Sequence, residues 1–213
     1  KQQSDEVLAF QELLLRFDDK YELICALQAI AVNNLTAATR LAPEDNLLNH
    51  NLQTQKTKLN LFKSGNRDTQ IVCYTSSDNE LNQSLGQLGQ LNKFLDIFRN
   101  QGSLSISKHQ DLQSHLDSIK VNLTMNSHLY QADCFAEEDN PTMYQMHLKQ
   151  ALEVLKKSNI ETDKKNKGIK QLSERLNEVK RTNKVIKENN LIKPEREKSK
   201  EETIVTGTDK KQF

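Results

Sequence analysis

Histidines, cysteines and clustered carboxylates are the side chains in this chain that could do chemistry, and their linear spacing does not favour it. His50, His109, His115, His128 and His147 form no His-Glu-x-x-His pattern, and no two stand four residues apart on one helix face. His109 and His115 are six apart, a poor spacing for one face, so all five are read as surface or structural residues rather than metal ligands. Cys25, Cys73 and Cys134 are far apart, odd in number and set among apolar neighbours, which suits small buried hydrophobes in a reducing, cytoplasmic compartment. The acidic groups Asp18-Asp19, Glu44-Asp45 and Glu137-Glu138-Asp139 read as helix starts and solvated turns, because none has the spaced carboxylates and central glycine of a calcium loop. A glycine-rich phosphate cradle, a nucleophile elbow and a Cys/His pairing are all missing, so no enzyme, cofactor or metal is expected.

The elements around these residues are helical. Aromatics are 5% of the chain, Trp is absent, and few stretches alternate in the strand pattern. Apolar residues recur instead by threes and fours. Val7, Phe10, Leu14, Phe17, Tyr21, Ile24, Ala31, Leu35 and Ala38 predict one long helix from Ser4 or Asp5 to about Leu41. A second helix opens at Glu44-Asp45 and runs to about Lys63, with Leu47, Leu48, Leu52, Leu59 and Phe62 facing inward. Residues 69–76 are read as a connector or short helix. Ser77 to Glu80 caps a helix carrying Leu81, Leu85, Leu88, Leu91 and Phe98, in which Gly86 and Gly89 suggest close backbone approach. Ser105 or Ser107 caps the next, which carries Leu112, Leu116, Ile119, Leu123 and Tyr130 in nearly heptad order. Short turns between these helices predict antiparallel packing.

The clearest hairpin lies in Ser127–Lys157. Leu129, Ala132, Phe135 and Ala136 mark one helix face; Met143, Tyr144, Leu148, Ala151, Leu152 and Leu155 mark the next, and Pro141 suits its first turn. This pattern of small residue, aromatic, loop, then Tyr144, Leu148 and Ala151 resembles a degenerate tetratricopeptide unit, in which small residues let two helices approach closely. Ala31, Leu35, Ala38 and Pro43 resemble the second helix and closing proline of another. The loop glycine is missing and Lys156 replaces a closing proline. The separation of the two stretches is not a multiple of the family's roughly 34-residue period. The resemblance therefore implies an irregular bundle that borrows the packing, not a regular array.

Composition changes after Lys157. Residues 1–155 hold 13 Lys+Arg against 19 Asp+Glu, whereas residues 156–213 hold 17 against 10. Ile169, Leu172, Leu176, Val179, Asn183 and Ile186 form a narrow seam of two and a half heptads with one polar position, a helix-pairing surface for a second copy of the chain or for the body. Three units are expected: a helical-hairpin body over 1–157, a basic coiled-coil-like helix over 158–190 and a charged tail over 191–213 that does not fold alone. The basic helix is interleaved with Glu174, Glu178 and Glu188 and has no aromatic for base stacking, which disfavours nucleic acid and membrane as partners. No signal-peptide pattern or membrane-spanning run is expected. The fold class is all-α, an irregular bundle of antiparallel hairpins with a charged C-terminal helix. Its expected role is a non-enzymatic adaptor or scaffold for another protein, with a homodimer through the C-terminal helix as one arrangement. The alternative is association with nucleic acid or a membrane surface through the basic arm.

Overall fold

A computed structural model describes residues 10–18, 20–64, 72–159 and 162–181. Among them the chain is all-α, with seven helices and no strand. They are α1 (Gln11–Phe17), α2 (Glu22–Leu41), α3 (Asn46–Lys63), α4 (Asp78–Asn100), α5 (Ile106–Glu137), α6 (Pro141–Lys157) and α7 (162–181). Residues 72–75 are a connector without regular secondary structure. The expected tail over 191–213 lies outside the described residues.

The single long N-terminal helix expected from the apolar spacing is divided. Phe17 ends α1, and the chain turns through Tyr21, whose φ of 55° is left-handed, before α2 begins. The break needs neither glycine nor proline, because Asp18 supplies what a helix start lacks. Its carboxylate accepts from the backbone N–H of Leu23 at 2.9 Å and of Ile24 at 3.2 Å, satisfying donors that α2 cannot pair itself. Tyr21 also stacks on Phe62 of α3, ring centroids 6.0 Å apart.

Three apolar cores result. The largest joins α1, α2, α4 and the first half of α5 through Leu14, Phe17, Leu27, Leu88, Leu91, Leu95, Phe98, Leu112 and Leu116. A second joins the last half of α5 to α6 and α7 through Ala132, Leu148, Ala151, Leu155, Leu172 and Leu176. The third is local to the α2–α3 hairpin, through Val32, Leu35, Leu52 and Leu59. A buried amide relay fixes that hairpin's register: Gln28 Nε2 donates to the Gln55 carbonyl at 2.9 Å and to Gln55 Oε1 at 2.8 Å, while Gln28 Oε1 accepts from Gln11 of α1. With 32 residues, α5 spans about 48 Å and takes part in both large cores.

The caps follow the expected signals. Asp45 accepts from Leu48 N–H, Ser77 from Glu80 N–H and Ser105 from Lys108 N–H; Asn140, not among those signals, also caps α6 by accepting from Met143 N–H. The tight α5–α6 turn has Asp139 at φ 57°, taking the left-handed position that a glycine usually fills. Two packing expectations are corrected. Leu47 does not face inward; it is 67% exposed, because Leu48 and Leu52 already occupy the stripe facing α2. Gly86 and Gly89 do not mark a close approach either, since a Cβ on each would meet nothing within 4 Å. The close approach is at Gly168 of α7, where a Cβ would stand 2.7 Å from Leu155 Cδ2 of α6.

Candidate functional site

The helix-pairing seam sits on α7. Leu172 and Leu176 are buried in the second core, and Ile169 and Val179 pack against it. Asn183 and Ile186 lie outside the described residues. The narrow apolar side of α7 is therefore covered by α5 and α6 of the same chain. Arg175 adds a polar clamp: its guanidinium reaches the Asp133 carboxylate on α5 and the Tyr144 hydroxyl on α6, at 3.2 Å for Nη2, and lies 5.7 Å from the Tyr144 ring centroid. Lys165 Nζ donates to the Ser158 carbonyl at 2.6 Å, holding the turn between α6 and α7. Pairing between two copies through these four seam residues would require α7 to leave this position.

Chemistry-bearing side chains that are remote in sequence meet at two places. At the first, the His115 ring of α5 reaches the Asp18 carboxylate, Nε2 to Oδ1 2.8 Å, with Asp18 fully buried. Asp18 is thus no solvated turn residue. It accepts from three backbone amides, those of Lys20, Leu23 and Ile24, as well as the imidazole. The Asp18 hydrogen bond raises the His115 pKa above its ordinary 6.5, while burial opposes the rise. The pair ties the α1–α2 break to the middle of α5. Beside it opens a cleft of ≈ 710 Å³ lined by Lys20, Cys73, Asn122, Lys157 and Lys164 among others.

The second place lies between the two large cores. The connector 72–75 is fastened along α5: Tyr74 stacks on Tyr130 with centroids 4.3 Å apart, and Thr75 donates to Ser127 Oγ from its amide at 2.8 Å and from its hydroxyl at 2.9 Å. Glu80 then accepts from the Ser76 amide at 3.1 Å and pairs with Arg16 of α1 at 2.6 Å, and these bonds hold its carboxyl below the usual range, the Ser76 amide foremost. This fastening fixes the start of α4, so that Asp78 stands beside His128 of α5 and His147 of α6. The ligand-type atoms of the three residues all lie within 4.8 Å of one another. The two Nδ1 atoms are 3.3 Å apart, both rings are buried, and Phe135 stacks on His147 with centroids 5.4 Å apart. Burial pushes both imidazoles below their ordinary 6.5; the charge of His147 adds to this at His128, and Asp78 pulls each the other way. Neutral rings result near pH 7, each with a nitrogen lone pair available.

Linear spacing concealed this cluster. His128 and His147 belong to facing positions of an antiparallel hairpin rather than to one helix, and Asp78 arrives from a third helix. The polar turn between Ala132 and Ala151 was the available signal, because folding the chain back about Pro141 brings the two histidines level. His109 bonds Asp96 of α4 at 2.9 Å across the α4–α5 hairpin, and His50 is exposed on α3. The three cysteines are half-buried, and none forms a disulfide among the described residues.

What fold and site define together is an all-α bundle whose polar side chains mostly brace one helix against another, and no described helix is long and apolar enough to cross a membrane. Comparison with known protein families, characterised proteins and solved structures finds no match to this chain.

Proposed function

We propose that this chain is a non-enzymatic helical adaptor that binds another protein, with the α2–α3 hairpin as the contact. The observation that carries this reading is the exposure of three leucines along that hairpin. Leu41 is 89% exposed, Leu47 67% and Leu61 53%, on helices whose inner face is already packed. Leu41 and Leu47 flank the turn at the hairpin's tip, where α3 leans chiefly on α2. Burying a leucine fully contributes roughly 1.5–3 kcal/mol, so two at one tip suffice to anchor an apolar groove on a partner. Glu44 and Asp45 in the same turn favour a partner whose groove has a basic rim. The tetratricopeptide-like pattern at Ala31 to Pro43 belongs with this reading, since that family binds proteins through packed hairpins.

Full-length chain and the double variant Leu41→Glu/Leu47→Glu, both checked for helicity, are used to capture partners from the source cell at low and at high salt. A protein retained by the parent at both salt levels and lost by the variant supports the adaptor. Equal retention by the variant removes the hairpin tip from the contact. Capture that collapses steeply as salt rises instead favours the basic C-terminal arm acting on a polyanion, because counterion release then drives binding.

A further inference from the structure

We propose that Asp78, His128 and His147 form a binding site for a divalent transition-metal ion, zinc in the first instance, that pins α4 to the α5–α6 hairpin. The geometry of the two imidazoles points there. Zinc–nitrogen bonds are about 2.0–2.1 Å and the preferred arrangement is tetrahedral, which sets neighbouring ligand atoms about 3.3–3.4 Å apart. The two Nδ1 atoms stand 3.3 Å apart, the edge of such a tetrahedron. A ring-to-ring hydrogen bond would prefer a separation nearer 2.9–3.0 Å.

The rest of the cluster fits a metal centre. Two imidazoles and one carboxylate are ligands suited to zinc and its neighbours rather than to calcium or magnesium, which prefer all-oxygen shells. The rings come from separate helices and are held by packing, His147 being only 2% exposed and stacked on Phe135. Asp78 is exposed and lies within 4.8 Å of both, so a small side-chain adjustment brings its oxygen onto the ion. The Thr75–Ser127 hydrogen bonds and the Tyr74–Tyr130 stack act one step further out, fixing the backbone that carries Asp78. Water takes the fourth position. One opposing effect is the partial positive charge at the start of α4, which Asp78 and Glu80 in its first turn offset.

The consequence is mechanical. His128 falls on α5 between Leu123 of the first core and Ala132 of the second, and Asp78 starts a helix that belongs only to the first. An ion bound to all three residues cross-braces the two cores, which are separate clusters among the described residues.

The experiment titrates chelator-stripped full-length chain with zinc chloride by calorimetry and follows the melting temperature. One equivalent bound at micromolar affinity or tighter, with a melting temperature that climbs with zinc, is expected. Asp78→Asn should weaken binding at least tenfold, His128→Gln should abolish it, and His50→Gln should leave it unchanged. Cobalt provides a second readout for any histidine variant that fails to fold. The parent should show the visible absorption of four-coordinate cobalt, and Asp78→Asn should alter it. Failure of the parent to bind zinc, loss of binding in His50→Gln, or a cobalt spectrum that Asp78→Asn leaves untouched would each overturn the proposal.

Discussion

Replacing Asp18 with alanine removes one acceptor from three backbone amides and from His115, all in a position closed to water. Breaking a buried pair while its partner stays is expected to cost about 3–5 kcal/mol, and urea unfolding of Asp18→Ala measures it. The pair also sets a pH dependence. His115 is held above 6.5, so the folded state binds its proton more tightly than the unfolded chain does. That contribution is complete below pH 6.5 and is lost as pH rises through the raised value. The stability gap between parent and His115→Gln should therefore narrow as the solution is made alkaline. His128 and His147 act with the opposite sign: depressed below 6.5 by burial, they favour the folded state above that value and weaken it as pH falls. A gap that stays constant from pH 5 to pH 9 would show that folding leaves the proton affinity of His115 unchanged.

At the scale of elements, the glycines separate two kinds of helix contact. Gly86 is exposed and Gly89 half-buried, both mid-helix on α4, and a Cβ on either meets only open space. Each change to alanine should raise stability by roughly 0.5–1 kcal/mol, the ordinary helix-propensity difference. Gly168 behaves differently because Leu155 already fills the space where its Cβ would stand. Alanine there gains the same propensity but displaces the end of the Leu155 side chain, so the two effects roughly cancel. Leucine at 168 overpacks the α6–α7 contact and should cost about 1–3 kcal/mol. Thermal melts of the four variants test the ordering; a stabilising Gly168→Leu would mean that α7 does not lie against α6.

For the molecule as a whole, the decisive question is how much the C-terminal segment contributes to the fold. Deleting residues 158–213 strips Leu172 and Leu176 from the second core and opens Leu148, Ala151 and Leu155 to water. At ~1.5–3 kcal/mol per buried leucine, the two lost side chains alone represent roughly 3–6 kcal/mol. The truncated chain should melt at a lower temperature, with the α5–α6 end loosened while the first core, which contains none of these residues, persists. An unchanged melting curve would show that α7 is held too weakly to matter. Sedimentation of both proteins reports self-association independently. A dimer in the parent that disappears on truncation would mean that α7 also pairs between copies.

Taken alone, the sequence determined the helices, because three- and four-residue apolar spacing and Ser, Asp or Asn caps act within a few turns. The hairpin about Pro141 and the caps at Asp45, Ser77 and Ser105 were legible for that reason. Tertiary structure alone decided where α1 ends, since Asp18 can break the helix only when α2 amides and His115 surround it. It likewise assigned the close contact to Gly168 rather than to Gly86 and Gly89, because a missing Cβ shows nothing about what lies opposite. The seam of Ile169, Leu172, Leu176 and Val179 was visible as a surface needing cover, but one-sided periodicity is equally satisfied by a second copy or by the chain's own α5–α6 hairpin. The meeting of Asp78, His128 and His147 depends on the level at which three helices cross, and no linear spacing encodes that distance.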